Sequence, residues 1–497
     1  MATDTQQGGS SAIKIGKKAF ITSALIILAL ILFSGILTKV LPAGSYDRVI
    51  ADGRTVVVDG SYRAMPRPDY PVWRWLTAPA EILFAPGNIA LVTIMIFLIF
   101  VGGSIAILES AGVMEELVRV LVARFGSRKY LLLALMILFF MAISSFIGVY
   151  EGMVPMIIFI VPLAISLGWD SLTGLGISLL PLAFGFASSV TNPFTVAVAQ
   201  RIADLPLFSG SWFRVIFFIA VYVLVTAFVT RHAKKVEKNP ESSPTFAEDS
   251  RIRERLSGNA FLPGNGPAGD ETAESSKLRT RALVWFAGCV GVAMAAVLST
   301  ARLPGLSDLA FPVLALLFLI GGIGGGIIAR LGGKSIGMAF ARGAANLAPG
   351  IVLILMAYSV KHVIVTGGIM DTILYGAARI ISGARPMAAA FLVYGSTLVM
   401  NFFIGSASAK AFLMMPLLSP LADLVGITRQ TAVLAFDFGD GFSNMFFPTN
   451  ALLLIALSFT CVSYPRWIAW TWKLQIGALA VTSAFLAVAV AIGFGPF

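Results

Sequence analysis

A helix breaks where an unbroken membrane helix ought to run. The chain is apolar from about Ala432 to Phe459, yet inside that run stands Asp437-Phe-Gly-Asp-Gly-Phe-Ser-Asn-Met-Phe-Phe-Pro-Thr-Asn450. Two carboxylates and two asparagines do not belong in hydrocarbon. Pro448 removes a backbone donor and disfavours helix at Phe447, and Gly439 and Gly441 loosen the turn before it. Backbone that is not helical survives at membrane depth only where protein or a watery cavity covers it. The stretch therefore reads as a helix interrupted at a binding site. The setting is a membrane one: 58% of residues are hydrophobic, 12% are charged, and the mean hydropathy is +0.89.

The same interruption occurs earlier, where Ser188-Ser-Val-Thr-Asn-Pro-Phe-Thr195 breaks the run from Leu172 to Gln200. Thr191-Asn192 and Thr449-Asn450 match at an offset of 258 residues. That offset also pairs Met156 with Met414, Pro162-Leu-Ala164 with Pro420-Leu-Ala422, Gly168 with Gly426, Thr173 with Thr431 and Phe184 with Phe442. Upstream it drifts by a residue or two, pairing Phe146-Ile-Gly148 with Phe403-Ile-Gly405, Gly126 and Arg128 with Gly383 and Arg385, and Gly112-Val-Met-Glu115 with Gly368-Ile-Met-Asp371. So many ordered matches define an internal repeat.

The expected fold class is an all-α polytopic membrane protein. Residues 1–18 form a cytoplasmic amino terminus, because Lys14, Lys17 and Lys18 precede an apolar run that is too long for a signal peptide and lacks a cleavage site. The first repeat spans 19–231, a cytoplasmic linker 232–281, an extra helix and turn 282–306, and the second repeat 307–497. Residues 41–86 read as a polar external excursion with strand character. Two stretches, about 146–168 and 403–426, are interrupted by Gly, Ser or Pro and directly precede the broken helices at about 172–200 and 430–458. Interrupted apolar segments at matching places in two halves are what a transporter's site looks like in sequence, and both stretches read as re-entrant hairpins. A cytoplasmic linker requires an even number of crossings before it, whereas the strong apolar runs number five. The amphipathic piece 113–125, with its mate 369–381, would supply the sixth as a short buried crossing. The extra helix would then make the two repeats inverted.

The candidate site residues are polar groups at the breaks. Thr191, Asn192, Thr449 and Asn450 offer neutral oxygens beside unwound carbonyls, a ligand set suited to sodium, while half-helix amino termini would face an anion. The same residue types also cap helices, and only their repetition favours a site over capping. Ser188, Ser189, Ser443 and Asn444 flank them. Glu151 stands at the first hairpin's break, and Lys410 with Ser406 and Ser408 near the equivalent place in the second. Asp437 and Asp440 require a cationic ligand, a proton or a partner at this depth. Acids outnumber bases in the set, which inclines the reading toward an amino-acid solute. Lys361 and His362 could face a cavity or snorkel to the interface. Asp170, Asp423 and Arg429 fall at hairpin ends and are expected to be solvated. The glycines of Gly321-Gly-Ile-Gly-Gly-Gly326 lie within an apolar helix and read as close packing rather than a nucleotide loop.

Other function classes are weaker. The net charge of +11 reflects cytoplasmic Lys and Arg rather than nucleic-acid binding. Two cysteines, both in apolar runs, make neither a disulfide framework nor a zinc site. A channel would share the broken helices but not need the inverted duplication. An enzyme finds no nucleophile–base or His-Glu-x-x-His pattern. No cofactor is expected beyond sodium or a proton as coupling ion.

With these motifs in view, the chain resembles the YfcC-like branch of the C4-dicarboxylate anaerobic carrier family, within the ion-transporter superfamily. The resemblance covers nearly the whole chain. It is carried by Leu41-Pro-Ala-Gly-Ser-Tyr-Asp47, Asp52-Gly-Arg-Thr-Val-Val-Val58, Asn192-Pro-Phe-Thr195, Leu205-Pro-Leu-Phe-Ser-Gly210, Phe438-Gly-Asp-Gly-Phe-Ser-Asn444 and Pro448-Thr449. It implies a secondary transporter of the cytoplasmic membrane, elevator-type, with a scaffold, a mobile transport domain holding two hairpins, and a homodimer. The solute it implies is a basic amino acid or an organic acid, with C4-dicarboxylates as the alternative. Where relatives tend to continue Pro-Thr-Ser-Gly, this chain has Pro448-Thr-Asn-Ala451.

Overall fold

The computed structural model describes residues 17–51, 54–85, 89–114, 116–117, 120, 128–258, 273–300 and 310–495. The chain is a multi-pass helical membrane protein. Among the described residues, nine helices are long and apolar enough to cross a bilayer. The helices, spanning and shorter alike, run in the order α1 (Lys17–Val40), α2 (Trp73–Glu81), α3 (Ile89–Ser110), α4 (Lys129–Ala142), α5 (Ile157–Ser166), α6 (Ser171–Ser188), α7 (Val196–Ile202), α8 (Ser211–Lys238) and α9 (Phe246–Gly258). Then follow α10 (Ala273–Thr300), α11 (Ala310–Ile328), α12 (Gly333–Thr366), α13 (Met370–Ser382), α14 (Pro386–Phe403), α15 (Ala407–Val425), α16 (Arg429–Asp440), α17 (Ala451–Ser458) and α18 (Tyr464–Ala491). Four short strands, β1 (Gly44–Ser45), β2 (Arg48–Ala51), β3 (Arg54–Val57) and β4 (Arg63–Ala64), pair antiparallel as β1–β4 and β2–β3 in the polar segment after α1.

One element series occurs twice. A long helix (α3, α12) leads to a pair of legs (α4 and α5, α14 and α15), then a broken helix (α6 and α7, α16 and α17) and a closing helix (α8, α18). In the first pair of legs, α4 runs through a π-helical turn at Ile143–Ile147 to left-handed Gly148, and a 3-10 turn at Glu151–Met156 leads into α5. The start of α4 meets the end of α5, where Lys129 Nζ donates to the Leu167 carbonyl at 3.3 Å and the rings of Tyr130 and Trp169 lie 5.7 Å apart. The second pair closes likewise, with Gly426 at the end of α15 packed on Pro386 at the start of α14. Each hairpin is thus wider than the interrupted stretches 146–168 and 403–426, which contain only the tip and the second leg. The first legs are uninterrupted apolar helices and count among the nine candidate spans.

Packing directions follow from glycine contacts. Gly102 lies against Leu347 and Gly343, while Ala106, one turn further along α3, meets Gly343, one turn earlier on α12. Contacts between α3 and α12 therefore run in opposite senses. Those between α3 and α11 run in the same sense, Gly322 lying on Ser104 and Gly326 on Ile107, and Gly367 at the end of α12 abuts Thr38 near the end of α1. On its other flank α11 presents Gly321 and Gly324 to Phe286 and Trp285 of α10. The glycine-rich run of α11 thus serves close packing on two sides.

Polar contacts collect at two poles. At one, the polar segment after α1 is fastened to α13: Asp371 accepts from the Tyr46 N–H at 2.9 Å and from Arg48 at 2.7 Å, and Tyr62 stacks on Tyr375 at 4.1 Å. The same pole holds the pair Arg429–Asp423 at 2.7 Å and Thr428 Oγ1 donating to the Phe494 carbonyl at 2.7 Å. At the other pole α9 docks. Its Asp249 accepts from the Ser171 N–H at 2.9 Å and from Thr245 at 2.6 Å, Glu248 pairs with Arg466 at 2.7 Å, and Arg253 donates to the Trp169 carbonyl at 3.1 Å. Asp170 caps α6 through the Thr173 N–H and binds His232 at 2.9 Å and Ser243 at 2.7 Å. Burial pushes Asp170 up, but His232, Thr173 and Ser243 together hold it below the ordinary carboxylate range. Burial dominates at Asp249, which lies above that range.

Several expectations change here. Asp170 is buried rather than solvated, because the linker folds back over it. Helix α8 continues to Lys238 and α10 begins at Ala273, so helix extends into both ends of the polar stretch 232–281. Charged side chains cost a helix nothing once it leaves the hydrocarbon, so the fall in hydropathy marks the membrane surface rather than the helix end. Much of the piece 113–125 lies outside the described residues, as does the middle of the linker.

Candidate functional site

The first break is stitched to the first hairpin tip. Helix α6 is buried along its whole length and ends at Ser189, which adopts φ 39°, a left-handed conformation that costs a non-glycine residue about 1–2 kcal/mol. Its hydroxyl bonds to the Phe186 carbonyl and, at 2.6 Å, to Thr195 Oγ1, holding the turn. Ser188 bonds Ser145 at 2.8 Å, Thr191 Oγ1 donates to the Phe146 carbonyl at 2.9 Å, and Asn192 Nδ2 donates to the Ser144 carbonyl at 3.3 Å. The Asn192 Oδ1 accepts from the Phe194 N–H at 2.8 Å.

The second break repeats the pattern. Thr449 Oγ1 donates to the Phe402 carbonyl at 2.5 Å, and Asn450 Oδ1 accepts from the N–H groups of Leu452 at 3.0 Å and Leu453 at 3.2 Å, which caps α17. Each threonine thus ties its break to a phenylalanine carbonyl just before a hairpin tip. Each asparagine takes the N–H two residues on. Gly148 and Gly405 of the two tips face Asn192 and Asn450 respectively. Asn450 therefore caps α17, while Asn192 holds the turn that leads to α7 without capping it.

Charge distinguishes the second half. Lys410 on α15 and Asp440 at the end of α16 form an ion pair at 2.5 Å, with side-chain exposures of 0% and 1%. Lys410 also bonds Asn401 Oδ1, and Asn401 Nδ2 reaches Ser443 Oγ at 2.6 Å, the Asp440 carbonyl at 3.0 Å and Asn444 Oδ1 at 3.1 Å. Asn450 Nδ2 closes the chain on Asn444 Oδ1 at 2.7 Å. A buried base, a buried acid and three asparagines are thus joined from hairpin to break. The network meets the Lys410 ammonium and one Asp440 oxygen, which offsets part of the cost of burying the pair, while Asp440 Oδ2 has no hydrogen-bond partner among the described residues.

The two broken helices touch. Gly441 lies so close to Ala187 that any side chain there would strike its backbone, and Phe184 stacks on Phe442 at 6.3 Å. These two phenylalanines are the pair matched at the 258-residue offset. The first hairpin tip also reaches across, Tyr150 donating to Met445 Sδ at 3.7 Å. From α8, Arg214 is 1% exposed and donates to the Ser209 carbonyl at 2.8 Å, and its charge is felt by Asp437.

The structure gathers Ser188, Ser189, Thr191 and Asn192 at one break, and Lys410, Asp437, Asp440, Ser443, Asn444, Thr449 and Asn450 at the other. Ser406 caps α15 from an exposed position, with Ser408 half-buried beside it. Only the backbone of Glu151 is described, on the 3-10 turn after the first tip. Lys361 is exposed on α12, and His362 faces Glu81 of α2 at 3.7 Å, so neither joins the breaks. Three participants escaped the sequence reading: Asn401, Arg214 and the pair Ser144-Ser145. Asn401 and Arg214 did leave a signal, each being a strongly polar residue inside an otherwise apolar run.

The described residues thus make a multi-pass helical membrane protein with two interrupted helices and a buried charge cluster at the second. A profile of the family described as C4-dicarboxylate anaerobic carrier matches residues 20–491. The chain belongs to that family. It is 30% identical over 409 residues to a protein of Escherichia coli (strain K12) provisionally named basic amino acid antiporter YfcC, covering 81% of this chain and 77% of that one. It is 27% identical over 405 residues to an uncharacterized protein of Haemophilus influenzae, covering 81% and 76%. Among solved structures, the YdaH transporter of Alcanivorax borkumensis matches with a TM-score of 0.39 and 19% identity, over 95% of this chain and all of that one.

Proposed function

We propose that this protein is a secondary active transporter that moves a small carboxylate-bearing metabolite, an amino acid or an organic acid, across the cytoplasmic membrane by alternating access. The observation that carries the reading is the duplicated tie between break and hairpin: Thr191 to Phe146 and Thr449 to Phe402, on helices that close at Ala187 and Gly441. Alternating access needs two nearly equivalent arrangements around one site, and an inverted duplication supplies them.

The direction of packing supports inversion, since contacts between the mates α3 and α12 run in opposite senses. With α4 and α5 as one re-entrant hairpin, the first half crosses four times, through α1, α3, the broken helix α6–α7, and α8. The linker then shares the cytoplasmic side with the amino terminus, and 113–125 need not cross. The second half crosses five times, through α10, α11, α12, α16–α17 and α18. This count places the α9 pole inside and the β-strand pole outside. The hairpins, broken helices, α8 and α18 form the transport domain. Helices α1, α3 and α10–α12 form the scaffold of an elevator-type homodimer. Sodium remains a fitting ligand for the lone pairs left on Thr191, Asn192, Thr449 and Asn450.

The solute is read from charge. Two bases, Arg214 and Lys410, match the two acids, so the buried cluster does not itself require a cationic solute. The family description and the E. coli relative's name point to dicarboxylates and to basic amino acids, which share a carboxylate. Purified protein in sealed liposomes should accumulate labelled lysine or succinate, unmodified, against an imposed gradient of solute, sodium or protons. Conductance without solute would make it a channel, and recovery of altered solute an enzyme. Cysteines placed at Lys17 and Lys235 of a cysteine-free version should both resist impermeant thiol reagents in intact cells. Labelling of only one of them overturns the four-crossing count, and labelling of both reverses the orientation.

A further inference from the structure

Asp437 stands outside the network that surrounds it. It is 1% exposed, and neither carboxylate oxygen accepts a hydrogen bond from any described residue. Its neighbour Arg214, equally buried, spends one nitrogen on the Ser209 carbonyl and leaves Nε and Nη1 without acceptors among the described residues. The two are not bonded to each other, yet their helices are in contact beside them: the rings of Phe217 and Phe438 lie 4.4 Å apart. An ionised carboxylate buried without donors is costly, and a proton on it removes most of that cost. The paired Asp440, one turn further along α16, has no such need because Lys410 bonds it.

Position along α16 adds a route. Gln430, at the first turn, bonds the Ser209 carbonyl at the pole read as external, and Asp437 lies seven residues deeper, about 10 Å at helical rise. Asp440 and its asparagine chain come next. The groups facing Asp437 are few. Helix α8 supplies Arg214, and α16 itself supplies Asp440, with Lys410 of α15 behind it. Helix α14 brings Tyr394, whose hydroxyl is engaged by Thr482 at 2.6 Å. Helix α6 has no ionisable side chain between Ser171 and Ser188, Arg201 of α7 is exposed, and α18 meets this region through Phe485, 5.2 Å from Phe217.

We propose that Asp437 is a proton-binding site with Arg214 as its counter-charge, distinct from the Thr-Asn breaks, and that its proton is the coupling ion. With both acids ionised, Arg214, Asp437, Asp440 and Lys410 sum to zero. A proton arriving from the outer pole on one Asp437 oxygen leaves the cluster at +1. Three residues away, that excess favours a carboxylate at the asparagine chain. By reciprocity a bound carboxylate holds the proton in place. Proton and anion therefore enter together, and release of one inside promotes release of the other. This rests on the carrier reading, which it extends by naming the coupling ion.

Two measurements test it, the first without any solute. Infrared difference spectra of reconstituted protein across a pH change should show a carboxylic-acid C=O band gained on acidification. That band should be lost in Asp437→Asn, shifted in Asp437→Glu, and present at every pH in Arg214→Gln, where the counter-charge is gone. A difference spectrum unchanged in Asp437→Asn overturns the assignment, and Asp437→Glu serves the same purpose should the asparagine variant fail to elute as a folded species. In liposomes, with lysine and succinate as probes, Asp437→Asn should lose accumulation driven by an acid-outside gradient. Accumulation equal to wild type would refute the coupling role. Wild-type protein that carries neither probe would count against the carrier reading, and the infrared result would still decide whether Asp437 binds a proton.

Discussion

Lys410→Met isolates the energetics of the charge cluster. The substitution keeps a long unbranched side chain but removes the cation. It leaves Asp440, 1% exposed, with no side-chain donor, because its second oxygen is already unpartnered. Breaking a buried pair from one side costs about 3–5 kcal/mol, since the remaining charge keeps its desolvation penalty and loses its compensation. Asn401 Oδ1 loses its bond as well, and an orphaned buried acceptor costs about 1–3 kcal/mol. The Lys410→Met/Asp440→Leu double variant removes both charges and should recover most of the loss, lying within about 2 kcal/mol of wild type. Tryptophan fluorescence during unfolding in detergent, run on both single variants and the double, yields the coupling energy. At about 1.4 kcal/mol per tenfold, the single variant should raise the unfolded fraction by well over a hundredfold. A double variant as unstable as the sum of the singles, or a Lys410→Met protein as stable as wild type, would refute the reasoning.

Asn192→Ala and Asn450→Ala should each abolish or strongly weaken uptake while the protein still inserts, because losing a cap or a turn bond costs only about 1 kcal/mol; normal uptake in both would reduce the pair to a structural role. Gly441→Ala should cost several kcal/mol or block folding, since its methyl group would meet the Ala187 backbone, and a folded, active variant would place the helices farther apart. Asp170→Asn should loosen α9 in a pH-dependent way. Asp170 is held below its ordinary value, so its contribution is present above the unfolded value, near 3.9, and is lost as pH falls through the folded one. Limited proteolysis of the linker should therefore accelerate in the variant at neutral pH and not at strongly acid pH, and equal rates at both would sink the idea.

Hydropathy and two polar interruptions in apolar runs were enough to read a helical membrane protein with polar breaks. Those features are one-dimensional: hydrocarbon forbids unpaired backbone, so Pro448, Gly441 and the Thr-Asn pairs are conspicuous where they stand. The hairpins were legible only in part, because α4 and α14 carry the apolarity of a full span and nothing in composition says that α5 and α15 return beside them. That depends on Lys129 meeting Leu167 and Pro386 meeting Gly426. Charge pairing belonged to tertiary structure altogether. Asp437 and Asp440 look alike in sequence, three residues apart on one helix. Yet α15 delivers an ammonium to one, while α8 brings a guanidinium near the other without bonding it. A side chain's partners are set by which helices are packed together, and this packing, through the close contact of Gly441 with Ala187, also brings the two breaks together.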